Sequence, residues 1–372
     1  MNKLRLTDVC DFQGGSQPPK EQWINKLEDG YIRMLQIRDF TQRKNEEEYV
    51  KLSSNLKICD EDDVLIARYG ASVGKILTGL SGAYNVAIIK SIPNTSKLLK
   101  RYLYYYFNSE YFQNGIKNVG SRAAQAGFNK NDLEDFEIFV SSLEEQQKII
   151  DILDKSQELI EKRKEQIEAL DELVKSKFIE MFKEINEYVP ISNYIESLTA
   201  GKSLAGESEC KNKVLNTGSI SYDYFDKTQV KNLPNDYLPK SEHLVNKGDV
   251  LISRMNTSEL VGATAYVWDV DDNIYIPDRL WKANFKENAN PIFVWQLLIQ
   301  NNTKEKIRRI ASGTSGSMKN ISKAGLLGIE AINVDLKKQN EFADFVRQVD
   351  KLKFIVKYKL LIIKHIDLID YK

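Results

Sequence analysis

The chain has 372 residues, 42% of them apolar and 10% aromatic, with 53 basic side chains balanced by 53 acidic ones. That length and apolar content suffice for two or three packed domains and exclude a disordered tail, while a net charge of zero excludes a protein that coats nucleic acid indiscriminately. No run approaches the roughly 18 apolar residues of a membrane span, the start MNKLRLTDVCDF has no apolar leader core, and Cys10, Cys59 and Cys210 lack metal-ligand spacing; a cytoplasmic protein without disulfides is expected.

After a first apolar turn, Leu4, Leu6 and Val9, the breaker run Gly14-Gly15-Ser16-Gln17-Pro18-Pro19 predicts a loop, and Ile32–Ile37 a strand. Asp63–Arg68, DVLIAR, reads as a short buried strand behind an acidic turn. Asn85–Ile89 reads as a second strand after the Gly79–Gly82 turn. Leu98–Phe112 is predicted as an aromatic-rich helix, Gly120–Gly127 as a small-residue loop, and Leu133–Val140 as the lead into a long helix.

Leu143–Phe182 is that helix, forty residues without Gly or Pro. Leu153, Ile160, Ile167, Val174 and Met181 recur every seventh residue, one apolar rib of a coiled coil. The companion rib, Ile149, Ser156, Arg163, Leu170 and Lys177, is largely polar, so a partner helix must supply the missing apolar area.

The second half replays the order of the first, which makes the chain an internal duplication. The loop Ala200-Gly201-Lys202-Ser203 follows Ile191–Leu198, and Asp249–Arg254, DVLISR, matches DVLIAR in five of six positions. Phe293–Ile299 is the apolar helix again, Gly313–Asn320 the small-residue loop, and Leu326–Val334 the lead into a second long helix from Leu336. That helix aligns with the first at a constant offset of 193, placing Leu336 on Leu143 and Gln339 on Gln146. Here Phe342, Val349, Val356 and Ile363 form the apolar rib, while Lys353 and Asp367 replace the equivalents of Ile160 and Val174. The two seams complement each other, and an antiparallel pair within one chain is expected. The predicted division is a first globular domain at 1–140, a spacer helix at 141–185, a second domain at 186–334 and a second spacer helix at 335–372. The halves diverge mostly over Gln13–Asn55 and Gly201–Glu242, which suggests related modules with different ligands.

Charge is segregated although its sum is zero. Lys304–Lys323 holds six bases against one acid, and Gln113–Asn131 holds Lys117, Arg122 and Lys130 with no acid, whereas Leu143–Glu184 carries twelve acids and eight bases. Basic loops beside a mildly acidic rod fit a protein that touches DNA at two places.

Enzyme-like motifs fail on inspection. Gly70-Ala-Ser-Val-Gly74-Lys75 is one residue short of a phosphate loop and Ile76 replaces its metal-binding hydroxyl. Asn290-Pro291-Ile292-Phe293 resembles an amino-methyltransferase motif but reads better as a helix start, with no glycine-rich cofactor loop anywhere. Asp335-Leu336-Lys337 reads as a helix cap, and the only two histidines, His243 and His365, lie far apart.

The whole chain resembles the specificity subunit of type I restriction-modification systems. The resemblance rests on the Gly-Gly-Ser-Gln-Pro loop at Gly14, on DDVLIARYGASVG at Asp62 with its echo GDVLISR at Gly248, and on SRAAQAGFNKNDLEDFEIFVSSLEEQQKI at Ser121, each in order and each half ending in a long helix. It implies an α+β fold of two pseudo-repeated target recognition domains separated by two long helices that form an intramolecular antiparallel coiled coil. It implies a non-catalytic chain that binds double-stranded DNA with a bipartite target and docks DNA methyltransferase subunits, with restriction/translocase subunits as a further partner and no membrane. S-adenosylmethionine, ATP and Mg are implied for those partner subunits, and no cofactor or metal for this chain. The loop at Ala200 departs from the Gly-Gly-Ser-Gln-Pro pattern.

Base edges are read by Arg or Lys on guanine and Asn or Gln on adenine, and phosphates are held by Lys, Arg, Ser and Thr. The candidate DNA contacts are Gln17, Arg68, Tyr69, Ser72, Lys75, Arg122, Gln125 and Asn129 in the first domain. In the second they are Lys202, Arg254, Asn256, Arg309, Ser315, Ser317, Lys319 and Asn320. A structural alternative for Arg68 and Arg254 is to pair with Asp63 and Asp249. A protein-binding scaffold with a coiled-coil rod and no DNA role is the competing reading, and duplex binding that falls steeply with salt distinguishes the two.

The rod is expected to act as a ruler. At 1.5 Å per residue, the roughly 34 residues shared by the helices span about 50 Å, enough for half-sites about one DNA turn apart. Deleting Ile160–Gln166 together with Lys353–Lys359 removes one heptad from each helix and preserves the seam. The rod then shortens by about 10 Å, or about 3 base pairs. Sequencing of modified bases should show both half-sites retained and the gap reduced, or no activity if a rotation of roughly 100° cannot be absorbed; an unchanged gap in an active double deletant contradicts the ruler.

Overall fold

The computed structural model describes residues 2–42, 45–120, 127–313 and 318–369, with side chains given up to 119 in the second of these stretches and up to 361 in the last. The chain divides into two compact units, residues 1–161 with 363–372, and residues 162–362.

In the first unit the central antiparallel sheet has the order Cys10–Gly14, Ile88–Pro93, Leu65–Ala67, Ile76–Leu77. Its middle strand is DVLIAR without its charged ends, and Leu65, Ile66 and Ala67 are wholly buried because both faces are covered. A second sheet, Tyr49–Lys51, Tyr31–Leu35, Gly82–Tyr84, Ile58–Cys59, contains one parallel pair, Met34–Leu35 with Ala83–Tyr84. Asn2–Arg5 closes on Glu137–Val140 as a two-stranded ribbon. The core joins Leu6, Phe12, Ile66, Ile89, Phe107 and Phe112.

Three predicted elements change at their edges. The aromatic helix is two helices, Lys100–Asn108 and Glu110–Gly120, because Ser109 turns extended (ψ 152°) and its hydroxyl accepts the Phe112 N–H at 3.4 Å. The strand expected over Asn85–Ile89 starts only at Ile88, since Asn85 Oδ1 accepts the Ala87 N–H (3.1 Å) and makes a turn. The strand expected over Ile32–Ile37 runs Tyr31–Leu35; Gln36 then starts a short helix, Ile37–Thr41, with its N–H donated to Asp39 Oδ2 at 2.7 Å.

The second unit repeats the plan. Its central sheet has the order Ile195–Ala200, Leu280–Phe285, Val250–Ser253, Thr264–Tyr266, and its second sheet again contains one parallel pair, Lys213–Val214 with Ile274–Tyr275. Tyr188–Pro190 pairs with Glu330–Ile332 as the ribbon, and Pro291–Ile299 and Asn301–Ile310 are the helix pair. The repeat extends to strand order and to the parallel strand pair.

The long helices run Leu143–Phe182 and Leu336–Ile369. All ten rib positions of the first helix, including polar Ser156, Arg163 and Lys177, are buried or half-buried. On the second, Phe342, Val346, Val349, Lys353, Val356 and Leu360 form the matching stripe. Within residues 162–362 the helices run antiparallel: the rings of Phe178 and Phe182 lie edge-on to Phe342 at 5.4 and 5.5 Å, and Asp171 binds Lys353. These partners lie within about one and a half helical turns of the facing expected from the repeat. The lysine that interrupts the apolar rib is thus answered by a carboxylate across the seam.

One device recurs at the start of each long helix. Gln146 is fully buried; its Oε1 accepts the Leu99 N–H (3.0 Å), and its Nε2 donates to the carbonyls of Lys97 (2.6 Å) and Ser141 (3.0 Å). Gln339, also fully buried, accepts the Asn290 N–H (2.8 Å) and donates to the carbonyls of Asn288 (3.1 Å) and Val334 (2.7 Å). Each glutamine ties its long helix to the start of the first helix of the domain pair.

Gln146→Leu or Gln339→Leu strands three backbone groups in a dry site, each costing about 1–3 kcal/mol. Each variant should lose on the order of 3 kcal/mol in urea unfolding, and a loss below about 1 kcal/mol would show that the clamp is dispensable.

Candidate nucleic-acid interface

Both central strands deliver an arginine to the rim of their sheet. Arg68 donates its backbone N–H to the Ala87 carbonyl (2.8 Å), and its own carbonyl accepts the Phe128 N–H (3.3 Å). Its Nε donates to the Phe128 carbonyl at 3.1 Å and its guanidinium stands 5.1 Å over the Tyr69 ring. Arg254 is placed in the same way: its N–H donates to the Arg279 carbonyl (3.0 Å) and its carbonyl accepts the Ile321 N–H (3.0 Å). Its Nε reaches Asn320 Oδ1 at 3.5 Å, with the guanidinium 5.7 Å from the Trp281 ring. Neither arginine is paired with the acid of its own strand among the described residues. Asp63 is held by Lys90 (3.0 Å) and Lys100 (2.7 Å), and Asp249 by Lys282 at 3.7 Å, so the capping alternative is not realised.

The breaker loop of the first unit passes beside Arg68. A Cβ on Gly14 would stand 3.2 Å from Arg68 Nη1, and one on Gly15 only 2.1 Å from the Asn85 carbonyl oxygen. At Gly201 the corresponding distance to the Ile276 carbonyl is 1.8 Å, so the glycine common to the two divergent loops answers one close backbone approach. Gln17 and Lys202 are exposed beyond it.

The structure brings together Arg68, Tyr69 and the strand end at Gly127, which bridges Tyr69. In the second unit Met255–Asn256 pairs with Lys319–Asn320, bringing Arg254, Asn256, Lys319 and Asn320 onto one rim. Lys319 Nζ donates to the Gly313 carbonyl at 2.7 Å. Ser72 is half-buried and Lys75 exposed on the turn that follows the central strand. Arg309 stands exposed on helix Asn301–Ile310, 3.5 Å from Glu305, outside this cluster. Asn129 is a local cap, its Oδ1 accepting the Asn131 N–H at 2.8 Å. Arg122, Gln125, Ser315 and Ser317 lie outside the described residues. Phe128, whose carbonyl orients Arg68, went unselected as an apolar residue; it sits 193 positions before Ile321, the offset that aligns the helices, and that spacing was the available signal.

Residues 1–169 match the type I restriction modification DNA specificity domain. The chain is 23% identical over 375 aligned positions to the type I restriction enzyme MjaVIII specificity subunit of Methanocaldococcus jannaschii, covering 94% of this chain and 86% of that one. A further relative, the EcoEI specificity subunit of Escherichia coli, is 24% identical over 177 positions, 45% of this chain and 30% of that one. The first part of the chain thus matches a type I DNA specificity domain, and the whole chain is similar to type I specificity subunits. In fold it is similar to the S subunit of a type I restriction-modification system from M. genitalium (TM-score 0.55, 16% identity, 98% of this chain and 93% of that one). It is also similar to a chain from a structure of type I restriction-modification complex assembly (TM-score 0.56, 14% identity, 98% and 95%).

The enzyme-like motifs have structural roles here. Gly70–Ser72 is a tight turn between two strands, with no helix N-terminus to receive a phosphate. Asn290 Oδ1 accepts the N–H groups of Ile292 (3.0 Å) and Phe293 (3.4 Å) as the cap of a helix with Pro291 in its first turn. Asp335 Oδ1 caps the second long helix through the Lys338 N–H at 3.0 Å. No helix among the described residues is long and apolar enough to cross a membrane.

The equivalent acids Asp63 and Asp249 differ in titration. Burial pushes Asp63 up, but hydrogen bonds from Lys100, the Asp60 N–H and Lys90 outweigh it and hold the carboxyl below its ordinary value. At Asp249 burial prevails over the Asn246 N–H and Lys282, and the carboxyl is pushed up. The hydrogen bond that differs is that of Lys100, the first residue of helix Lys100–Asn108; the equivalent helix of the second unit begins with Pro291, which carries no charge.

A depressed carboxyl stabilises the fold above its unfolded pKa, and that stability is lost as pH falls through the folded value. Asp63→Asn should therefore cost on the order of 3 kcal/mol at pH 7, and less at pH 3. Asp249→Asn should cost less than Asp63→Asn at pH 7, because ionisation of Asp249 already opposes folding there. Denaturant unfolding at the two pH values checks the order.

Proposed function

We propose that each globular domain, 1–140 and 186–334, reads one half of a bipartite duplex site, and that the long helices set the gap and dock methyltransferase subunits. The observation that carries this reading is the duplicated rim: one fold, present twice, delivers one arginine to the same sheet edge beside a loop that differs between the copies. Shared frames with divergent loops suit two readers of different sequences. Arg68, Tyr69, Gln17, Arg254, Asn256, Lys319, Asn320 and Lys202 are the residues we assign to the DNA.

Partner docking is supported by apolar side chains that the intrachain seam does not use. On the first helix Ile152, Leu159 and Leu173 recur at heptad spacing and are exposed; on the second, Leu352, Ile355 and Tyr358 are exposed together. Such stripes suit further helices added to the pair. In this reading S-adenosylmethionine, ATP and Mg belong to the partner subunits, the chain itself carries no cofactor, and the complex works in the cytoplasm beside a restriction/translocase subunit.

Modularity tests the reading. Transplanting Met1–Val140 into a related specificity subunit should replace one half of its methylated motif and leave the other half unchanged, as read by sequencing of modified bases. A hybrid that alters both halves counts against independent readers, and a wild-type complex without any split motif favours a protein-binding scaffold.

A further inference from the structure

The two domains align position for position along the rim. Phe128 donates its N–H to the Arg68 carbonyl as Ile321 does to that of Arg254, and Tyr69 bridges Gly127 as Met255 pairs with Asn320. Arg68 thus matches Arg254, whereas Tyr69, Gly70 and Gly127 match Met255, Asn256 and Asn320. The exchange is concerted: a Cβ on Gly127 would lie 2.5 Å from the Tyr69 ring, so the first domain fills with an aromatic face the space that the second gives to an asparagine.

Readers of different sequences share their sequence-independent contacts and differ in their base contacts. The arginine is shared. Asn256 is not, and the fold uses only half of its amide. Its Oδ1 accepts the Thr257 N–H at 2.9 Å, while its Nδ2 is buried with no partner among the described residues. An unpaired buried donor is a standing cost in the free protein.

We infer that Asn256, with Asn320 beside it, reads a base edge in the half-site of the second domain, while Arg68 and Arg254 hold phosphates. The inference rests on the DNA-reading function proposed above. Nδ2 is shielded from solvent in the free chain; turned outward onto DNA it breaks no hydrogen bond among the described residues and selects an acceptor in the major groove: a purine N7, guanine O6 or thymine O4.

The test uses the full chain with its methyltransferase subunits in a host that lacks this modification, with the methylated motif read by sequencing and duplex binding measured against salt. Asn256→Gly, which copies the first domain, should relax one position in the second half-site, with about 10-fold or greater loss of discrimination there. Asn256→Asp, nearly equal in shape but an acceptor, should shift that position toward a base presenting a donor, adenine N6 or cytosine N4. Arg68→Ala and Arg254→Ala should weaken binding to all sequences alike and lower the salt slope by about one, with the motif unchanged.

The inference is overturned if both Asn256 variants keep the parental motif, whether or not their melting temperature falls, or if either abolishes methylation at every sequence while melting like the parent. Relaxation of a single base position by Arg254→Ala also overturns it. A wild-type complex with no split motif sinks the DNA-reading function itself, a result distinct from all of these.

Discussion

Two buried glutamines govern this fold. Gln146 and Gln339 each make three hydrogen bonds to backbone in a site closed to water, where the alternative partner for every group is nothing. Because those bonds join the first turn of a long helix to the approach to the aromatic helix pair, they fix where each helix leaves its domain. A hydrophobic contact at the same place would hold the helix without setting its rotation, since apolar packing is non-directional. The rotation decides which ribs meet the seam and which remain free for partners.

The seam itself is built from unequal halves. The first helix keeps one rib apolar and lets the other turn polar, and the second supplies Phe342, Val349 and Val356 opposite. Asp171 and Lys353 place a charge pair inside that stripe. Lys353 retains little exposure, so misregistered pairing would leave an ammonium against apolar neighbours, a larger penalty than any gain from the pair itself. Polarity at the seam therefore acts on register more than on stability.

The globular domains show the converse economy. Their central strands are buried on both faces and tolerate little change, whereas the loops and second sheet over Gln13–Asn55 and Gly201–Glu242 are free to diverge. The arginine rim lies where the two regimes meet. Close backbone approaches at Gly15 and Gly201 keep the divergent loops seated on the invariant frame, so a changed loop still reaches the same edge.

The sequence by itself determined the duplication, the two long helices and the antiparallel pairing, because heptad spacing and a repeated DVLIAR motif are one-dimensional signals. It also placed Gln146 on Gln339, yet said nothing of their burial, since a glutamine looks solvated until its three backbone partners are assembled from distant segments. Only the tertiary structure decided that Arg68 and Arg254 leave Asp63 and Asp249 to lysines, that Asn129 serves a turn while Asn256 Nδ2 has no partner among the described residues, and that the aromatic helix breaks at Ser109. In each case a polar side chain had several chemically adequate partners along the chain. Proximity in three dimensions, which no local pattern encodes, chose among them.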